Sequence, residues 1–183
     1  MYFVGIDVGQ KGALAVLNVH GSVVDTFLLP HKKIVLTEST KRVTSLLDVS
    51  EIKSRVFPIL TGKELIVTME QIFVMHKAGI NSAITAGINY GRLWATIENI
   101  CEYINIVNAN KWQKSKIMRN LMKELPKPSS SSDTKSTSIA LATHLFGGDV
   151  LIPKGKKVPQ DGISDALLLA EYTRREWMGG TCL

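Results

Sequence analysis

Cysteine is scarce in this chain. Only Cys101 and Cys182 occur among 183 residues, and their separation fits no zinc-ligand spacing. No disulfide framework can be built from them, and free thiols in a reducing compartment, the cytoplasm, are the expected state. Histidine is just as sparse: His20, His31, His76 and His144 are scattered, and each reads as a surface or loop residue. No apolar run reaches the roughly 18 residues that a spanning helix needs, so no membrane association is expected. The opening MYFVGIDVGQ has no basic start, apolar signal core or small-residue cleavage site, and no export signal is read there. No internal repeat is present. What remains is a globular composition, 45% hydrophobic and 21% charged, in a chain that fits a single domain over 1–183 and can bury a core unaided.

The positive charge, +6 overall, is concentrated. Residues 108–158 hold ten lysines and arginines against Glu124, Asp133 and Asp149, whereas the rest of the chain has 12 basic and 13 acidic residues. A confined basic region is what binding to a phosphate backbone looks like in sequence. A solvated lysine face has the same composition, and charge alone does not separate the two.

Hydrophobic periodicity predicts an α/β chain. Tyr2–Val8, Ala13–Val19 and Val23–Leu29 read as three strands of an antiparallel meander, joined by the turns GQKG and His20-Gly21-Ser22. Thr44–Leu60 has apolar residues near a 3.6 period and predicts a helix, strained or ended near Pro58. Leu65–Glu70, LIVTME, predicts a strand covered on both faces. A helix over Ser82–Ile100 follows, in which Gly87 and Gly91 would let a neighbouring backbone approach. Tyr103–Val107 is the fifth expected strand. Beyond it lie the basic segment NANKWQKSK, an exposed PKPSSSSD loop, a helix to about Phe146 capped by Asp133 or Thr134, and a last helix from Asp161 or Gly162 to Arg175. The expectation is a mixed five-stranded sheet with helices on both faces.

Four acids stand out against this background. Asp7 ends the apolar strand YFVGID and Glu70 ends LIVTME. An acid in a buried strand is costly unless it is paired, hydrogen-bonded or metal-bound. Either acid alone could be a surface-facing strand end. Two at the carboxyl ends of apolar strands mark the place where ligand sites gather in open α/β sheets. Asp161 and Asp165 are four apart in DGISDALLLAEY and share one helical face. A helix cap plus a first-turn acid would account for them, but the apolar sequel ALLLAEY buries this helix and turns its acids towards structure or a cleft. Four carboxylates with little histidine or cysteine form a hard oxygen site suited to Mg²⁺ or Mn²⁺. In a two-metal nuclease such a site holds a pair of ions.

Taken together, these segments resemble the RuvC family of Holliday junction resolvases, with the phage or viral branch nearest, within the ribonuclease H-like superfamily. GIDVGQKGALAVL is similar to the family's first strand, turn and second strand. MEQIFVMHKAGINSAITAGINYGRL is similar to its second acidic block, and DGISDALLLAEYTRR to its final acidic helix. The likeness spans about residues 2–175 and is weak over 30–61. Singly the motifs are unspecific; their order and spacing are what is specific. The resemblance implies a homodimer with two active sites that nicks opposing strands of a four-way junction, leaving 5′-phosphate and 3′-hydroxyl ends. It implies metal ligands at Asp7, Glu70 and Asp165, with Asp161 either a further ligand or a capping residue. It matches Lys135 to a lysine of the active site and Lys114, less firmly aligned, to another. It matches Phe73 to an aromatic that stacks on an exposed base, a contact worth about 1–3 kcal/mol; a core phenylalanine is the other reading of that position. Lys11, Lys77, Lys111 and Lys116 complete the expected DNA contacts. One departure stands out: several family members carry final ligands three apart, and three before Asp165 this chain has Gly162.

Sugar kinases and Hsp70-like ATPases also open with a strand, an Asp and a glycine turn. They need a second phosphate loop and a glycine-rich adenosine motif that this chain lacks. Other ribonuclease H-like nucleases share the acids and differ in the shape of the DNA they cut. A non-catalytic junction-binding protein would need the basic region but not the acids.

Overall fold

Strand formation follows the apolar alternation at the amino terminus. In the computed structural model, which describes residues 1–9, 11–37, 42–72, 79–101, 103–125 and 134–179, β1 (Tyr2–Asp7), β2 (Ala13–Asn18) and β3 (Val23–Leu28) form the expected antiparallel meander. Strands β4 (His31–Thr37) and β5 (Arg42–Leu47) make a separate two-stranded antiparallel hairpin. Helix α1 (Val49–Leu60) leads to β6 (Leu65–Glu70), which pairs in parallel with β1, and helix α2 (Ile80–Glu98) leads to β7 (Ile104–Val107), parallel to β6. The five-stranded sheet thus has the order β3-β2-β1-β6-β7. Helices α3 (Ala109–Gln113), α4 (Lys116–Glu124), α5 (Thr134–Phe146) and α6 (Asp161–Met178) complete the chain, with one 3-10 turn at Asp149–Leu151.

Side-chain parity assigns the two faces of the sheet. Successive residues of a strand point to opposite sides. Val4, Ile6, Leu14, Val16, Val67 and Met69 pack against Ile52, Val56 and Leu60 of α1 and Leu93 and Ile97 of α2. The alternate residues Phe3, Ala13, Ala15 and Leu17 pack against Ile163, Ala166, Leu167 and Ala170 of α6. Helix α6 lies so close to β1 that a Cβ at Gly5 would stand 2.1 Å from the Ala166 carbonyl oxygen. A third cluster joins the outer side of α6 to α3, α4 and α5 through Trp112, Met118, Leu121, Leu141, Leu168 and Tyr172. Buried residues run without a break from Ala166 to Thr173, so α6 is the hub of the fold. Among the described residues no helix is long and apolar enough to cross a membrane.

One expectation needs correction. The helix expected over Thr44–Leu60 is a strand and a helix. Residues Arg42–Leu47 pair with β4, and Asp48 then caps α1 by accepting from the backbone N–H of Ser50 and Glu51. The apolar spacing ran across this boundary, and periodicity has no means of seeing a hydrogen-bonded partner strand. Pro58 lies in the last turn of α1, and the helix ends two residues later at Leu60, as expected. Within one protomer Gly87 and Gly91 face open space, so the close approach expected there is left to a second copy. The Pro/Ser loop, together with Asp133 as a cap, lies outside the described residues.

Candidate active site

The parity that sorts the core also aims the acids. Asp7 is in phase with Phe3 and Gly5, on the α6 side of β1, and Glu70 is in phase with Ile66 and Thr68 on the same side of β6. Thr173 of α6 confirms that phase, its hydroxyl donating to the Thr68 hydroxyl at 2.7 Å. The parallel register Ile6↔Met69 brings the ends of β1 and β6 level, so Asp7 and Glu70 leave the sheet side by side. Helix α6 begins there. Its second residue, Gly162, sits where a Cβ would be 2.0 Å from the Lys11 carbonyl oxygen and 3.4 Å from Asp7 Oδ2. The β1–β2 turn and the start of α6 are therefore in backbone contact, and α6 adds Asp161 and Asp165 to the two strand acids. The missing acid three before Asp165 has a physical cause: position 162 has no room for a side chain. The helix begins at Asp161 with Gln160 as its cap, which sets aside the capping reading of Asp161.

The four carboxylates share one electrostatic field. Burial pushes the Asp7 carboxyl above its ordinary range, opposed by the Gly9 N–H that Asp7 Oδ1 accepts at 3.0 Å, and Asp161 raises it further. Burial and the neighbouring Asp7 likewise raise Glu70 against the pull of the Trp112 indole. Asp165 is affected most. Burial, then the charges of Asp7, Glu70 and Asp161, push it up to about 7, although the Ser138 hydroxyl bonds to it. Its Oδ1 is buried with no hydrogen-bond partner. Asp161 goes the other way, held low by its bond to Lys135, whose ammonium is 2.7 Å from Asp161 Oδ2. The buried acid at the far end of the same helix shows what a structural carboxylate looks like here. Glu171 accepts from Arg174 at 2.7 Å and from Arg175 at 2.6 Å.

Among the described residues no three acid, histidine or cysteine side chains are gathered as a finished cation cage. The site nonetheless fits a divalent cation. Its donors are hard oxygens, three of the four carboxyls are raised by burial and by at least one neighbouring acid, and one buried oxygen is left without a partner.

Two contributors escaped the sequence reading. Trp112 is 1% exposed, and its indole N–H donates to Glu70 Oε2 at 2.9 Å. The only sequence signal was one aromatic residue inside the lysine-rich run NANKWQKSK. Ser138 follows Lys135 by three residues on α5, the spacing that places two side chains on one helical face, and the two reach Asp165 and Asp161 respectively. Of the expected DNA contacts, Lys11 is exposed in the β1–β2 turn, and Lys111, Lys114 and Lys116 are exposed on the segment that Trp112 anchors to Glu70. Phe73 and Lys77 lie outside the described residues, as does Cys182. Cys101 is a buried free thiol.

No family model and no curated protein matches the chain. Solved structures do. RuvC of T. thermophilus in complex with a Holliday junction substrate is similar with a TM-score of 0.58 at 17% identity, covering 98% of this chain and 97% of that one. The Thermus thermophilus RuvC structure is similar with a TM-score of 0.53 at 16% identity and the same coverage. At such identity the likeness speaks for architecture, and over nearly its whole length this chain has the ribonuclease H-like fold of RuvC.

Proposed function

We propose that the protein is a metal-dependent endodeoxyribonuclease that resolves four-way DNA junctions by paired nicks, acting in the cytoplasm. The observation that carries this reading is the meeting of Asp7, Glu70, Asp161 and Asp165 where β1, β6 and α6 converge, with the Asp165 Oδ1 left unpartnered. The fold is that of a protein solved on a Holliday junction. These four residues would hold Mg²⁺, with Mn²⁺ as a substitute and two ions per site. When bound, such ions would supply Lewis acidity, lowering the pKa of water and stabilising charge on a leaving 3′ oxygen. The chain's own groups do the rest. Trp112 holds the Glu70 carboxylate by Oε2. Lys135 offsets the Asp161 charge and, being 71% exposed, has room to turn towards an incoming phosphate. Lys11, Lys111, Lys114 and Lys116 supply the exposed positive charge that attracts a DNA backbone.

Paired nicking needs two sites, and the reading includes a homodimer formed through α2. Ile80, Ile84, Gly87 and Gly91 recur at alternating steps of four and three along that helix, the pattern of a helix–helix seam. Ile80 is 78% and Ile84 54% exposed, and the two glycines face open space. A second copy laid against this stripe would meet matching apolar and small residues.

The test is cleavage of a synthetic four-way junction beside linear duplex of the same sequence, with Mg²⁺ or Mn²⁺. Paired nicks in the junction and little cutting of the duplex are expected. Equal cutting of both would sink the resolvase reading and keep the nuclease. Asp7→Asn is expected to abolish cutting while retaining junction binding. Cutting by Asp7→Asn at the normal rate would remove the acid site from the mechanism.

A further inference from the structure

Three lysines of the basic region have no part in the site described so far. Lys154, Lys156 and Lys157 stand in PKGKKVP, directly before the helix that carries Asp161 and Asp165. All three are exposed, and no acid pairs with any of them among the described residues. Like charges crowded this closely repel one another. The segment is nonetheless tightly built. The Gln160 N–H donates to the Leu151 carbonyl oxygen at 2.9 Å, closing residues 152–159 into a loop whose ends touch. Inside it the Lys156 N–H donates to the Pro153 carbonyl oxygen at 2.9 Å, and Gly155, with φ +84°, takes the left-handed position of that turn. The Gln160 carboxamide donates to the Val158 and Pro159 carbonyl oxygens at 2.9 and 3.3 Å. The backbone that carries the lysines is therefore tied to the start of α6.

This loop lies beside the acids, across from the lysines of α3 and α4. On its own side, the Val150 carbonyl oxygen accepts from the Thr26 hydroxyl of β3 at 3.5 Å, and the start of α6 touches the β1–β2 turn at Lys11. On the far side, Trp112 bonds to Glu70, and the Gln71 N–H donates to the Val107 carbonyl oxygen of β7 at 2.8 Å. Strands β3 and β7 are the two edges of the five-stranded sheet, and the acids of β1 and β6 stand between them. Lys157 precedes Asp161 by four residues, a chain span of at most about 14 Å. Phosphates follow one another every ~3.4 Å of helix axis along a DNA strand, so that span covers about four nucleotides. A strand with one phosphate at the acids has others within reach of these lysines.

We propose that residues 153–159 form a second phosphate-binding wing. Branched DNA is then held on both sides of the cut, by Lys154, Lys156 and Lys157 towards β3 and by the α3–α4 lysines towards β7. The inference rests on the nuclease reading. Its test is binding, without divalent metal, of four-way junctions that each carry one neutral methylphosphonate near the mapped cut. They are given to the wild-type chain, to a loop variant with Lys154→Ala, Lys156→Ala and Lys157→Ala, and to a variant with Lys111→Ala, Lys114→Ala and Lys116→Ala. Thermal melting checks the fold. In the wild type, neutral positions on either side of the cut should each weaken binding about threefold or more. The loop variant should bind the unmodified junction about tenfold more weakly and lose its sensitivity on one side only. Its slope of log affinity against log salt should flatten by about 0.9 for each phosphate no longer neutralised. The α3–α4 variant should lose sensitivity on the other side. A folded loop variant with an unchanged slope and phosphate map, or one that loses the same phosphates as the α3–α4 variant, overturns the second wing and leaves the resolvase standing. A wild type that neither binds nor cuts the junction overturns both.

Discussion

At the scale of single residues, the near-neutral carboxyl of Asp165 links the site to stability. Its folded value of about 7 lies above the ordinary 3.8, so between those limits the folded chain keeps a proton that the unfolded chain has released. Stability from this group is therefore present at low pH and falls away as pH rises towards 7. Asp161, held low by Lys135, acts in the opposite sense at the acid end. In metal-free buffer, Asp165→Asn should melt higher than the wild type at pH 8, by an amount of the order of a few kcal/mol, and the gap should close near pH 4. Mg²⁺ at pH 8 should raise the wild-type melting temperature and do little for the variant. A second residue-level expectation concerns Trp112. Trp112→Phe keeps most of the ring but removes the N–H that holds Glu70 down, so its carboxyl should rise further. Cutting should fall about 10- to 100-fold. The acid limb of the pH–rate profile should move up, and added Mg²⁺ should recover part of the loss. An unmoved pH profile would make Trp112 a packing residue only.

At the scale of elements, the contact between the β1–β2 turn and the start of α6 sets the spacing of the site. Gly162→Asp would create the three-residue spacing of several members of the family that the sequence resembles. With its Cβ driven against the Lys11 carbonyl oxygen, it is expected to cost about 2 kcal/mol or more and to lower cutting instead of raising it. Thermal melting and a junction assay on the same preparation check both halves. Much of this layer was legible in the sequence. The meander, β6 and α6 stand close to where apolar alternation and capping residues put them, and the carboxyl-end acids came from the same pattern. The β4–β5 hairpin was not legible. Its strand HKKIVLT has lysines interrupting the apolar run, and Leu46 and Leu47 continue smoothly into the apolar spacing of α1.

At the scale of the whole molecule, part of the charge that composition located between residues 108 and 158 stands on α3 and the start of α4, around a buried ring that bonds to Glu70. Trp112 is inside; Lys111, Lys114 and Lys116 around it are exposed. Replacing those three lysines with alanine should weaken junction binding about equally for all sequences. It should also flatten the plot of log affinity against log salt by about one unit for each DNA phosphate that the variant no longer neutralises. A slope unchanged from the wild type would make this region the solvated lysine face that composition also allowed.

The sequence by itself determined the meander, β6, α6 and the strand-end positions of the acids, because each is a local pattern of polarity; it did not determine the β4–β5 hairpin. Only the tertiary structure decided that the acids come together. Strand parity sends Asp7 and Glu70 to the α6 side, parallel register sets them level, and the helix–turn contact at Gly162 adds Asp161 and Asp165. It also decided the contacts of Trp112 and Ser138 and a cavity between the hairpin and α2. These depend on which distant segments touch, and polarity along one chain does not record that.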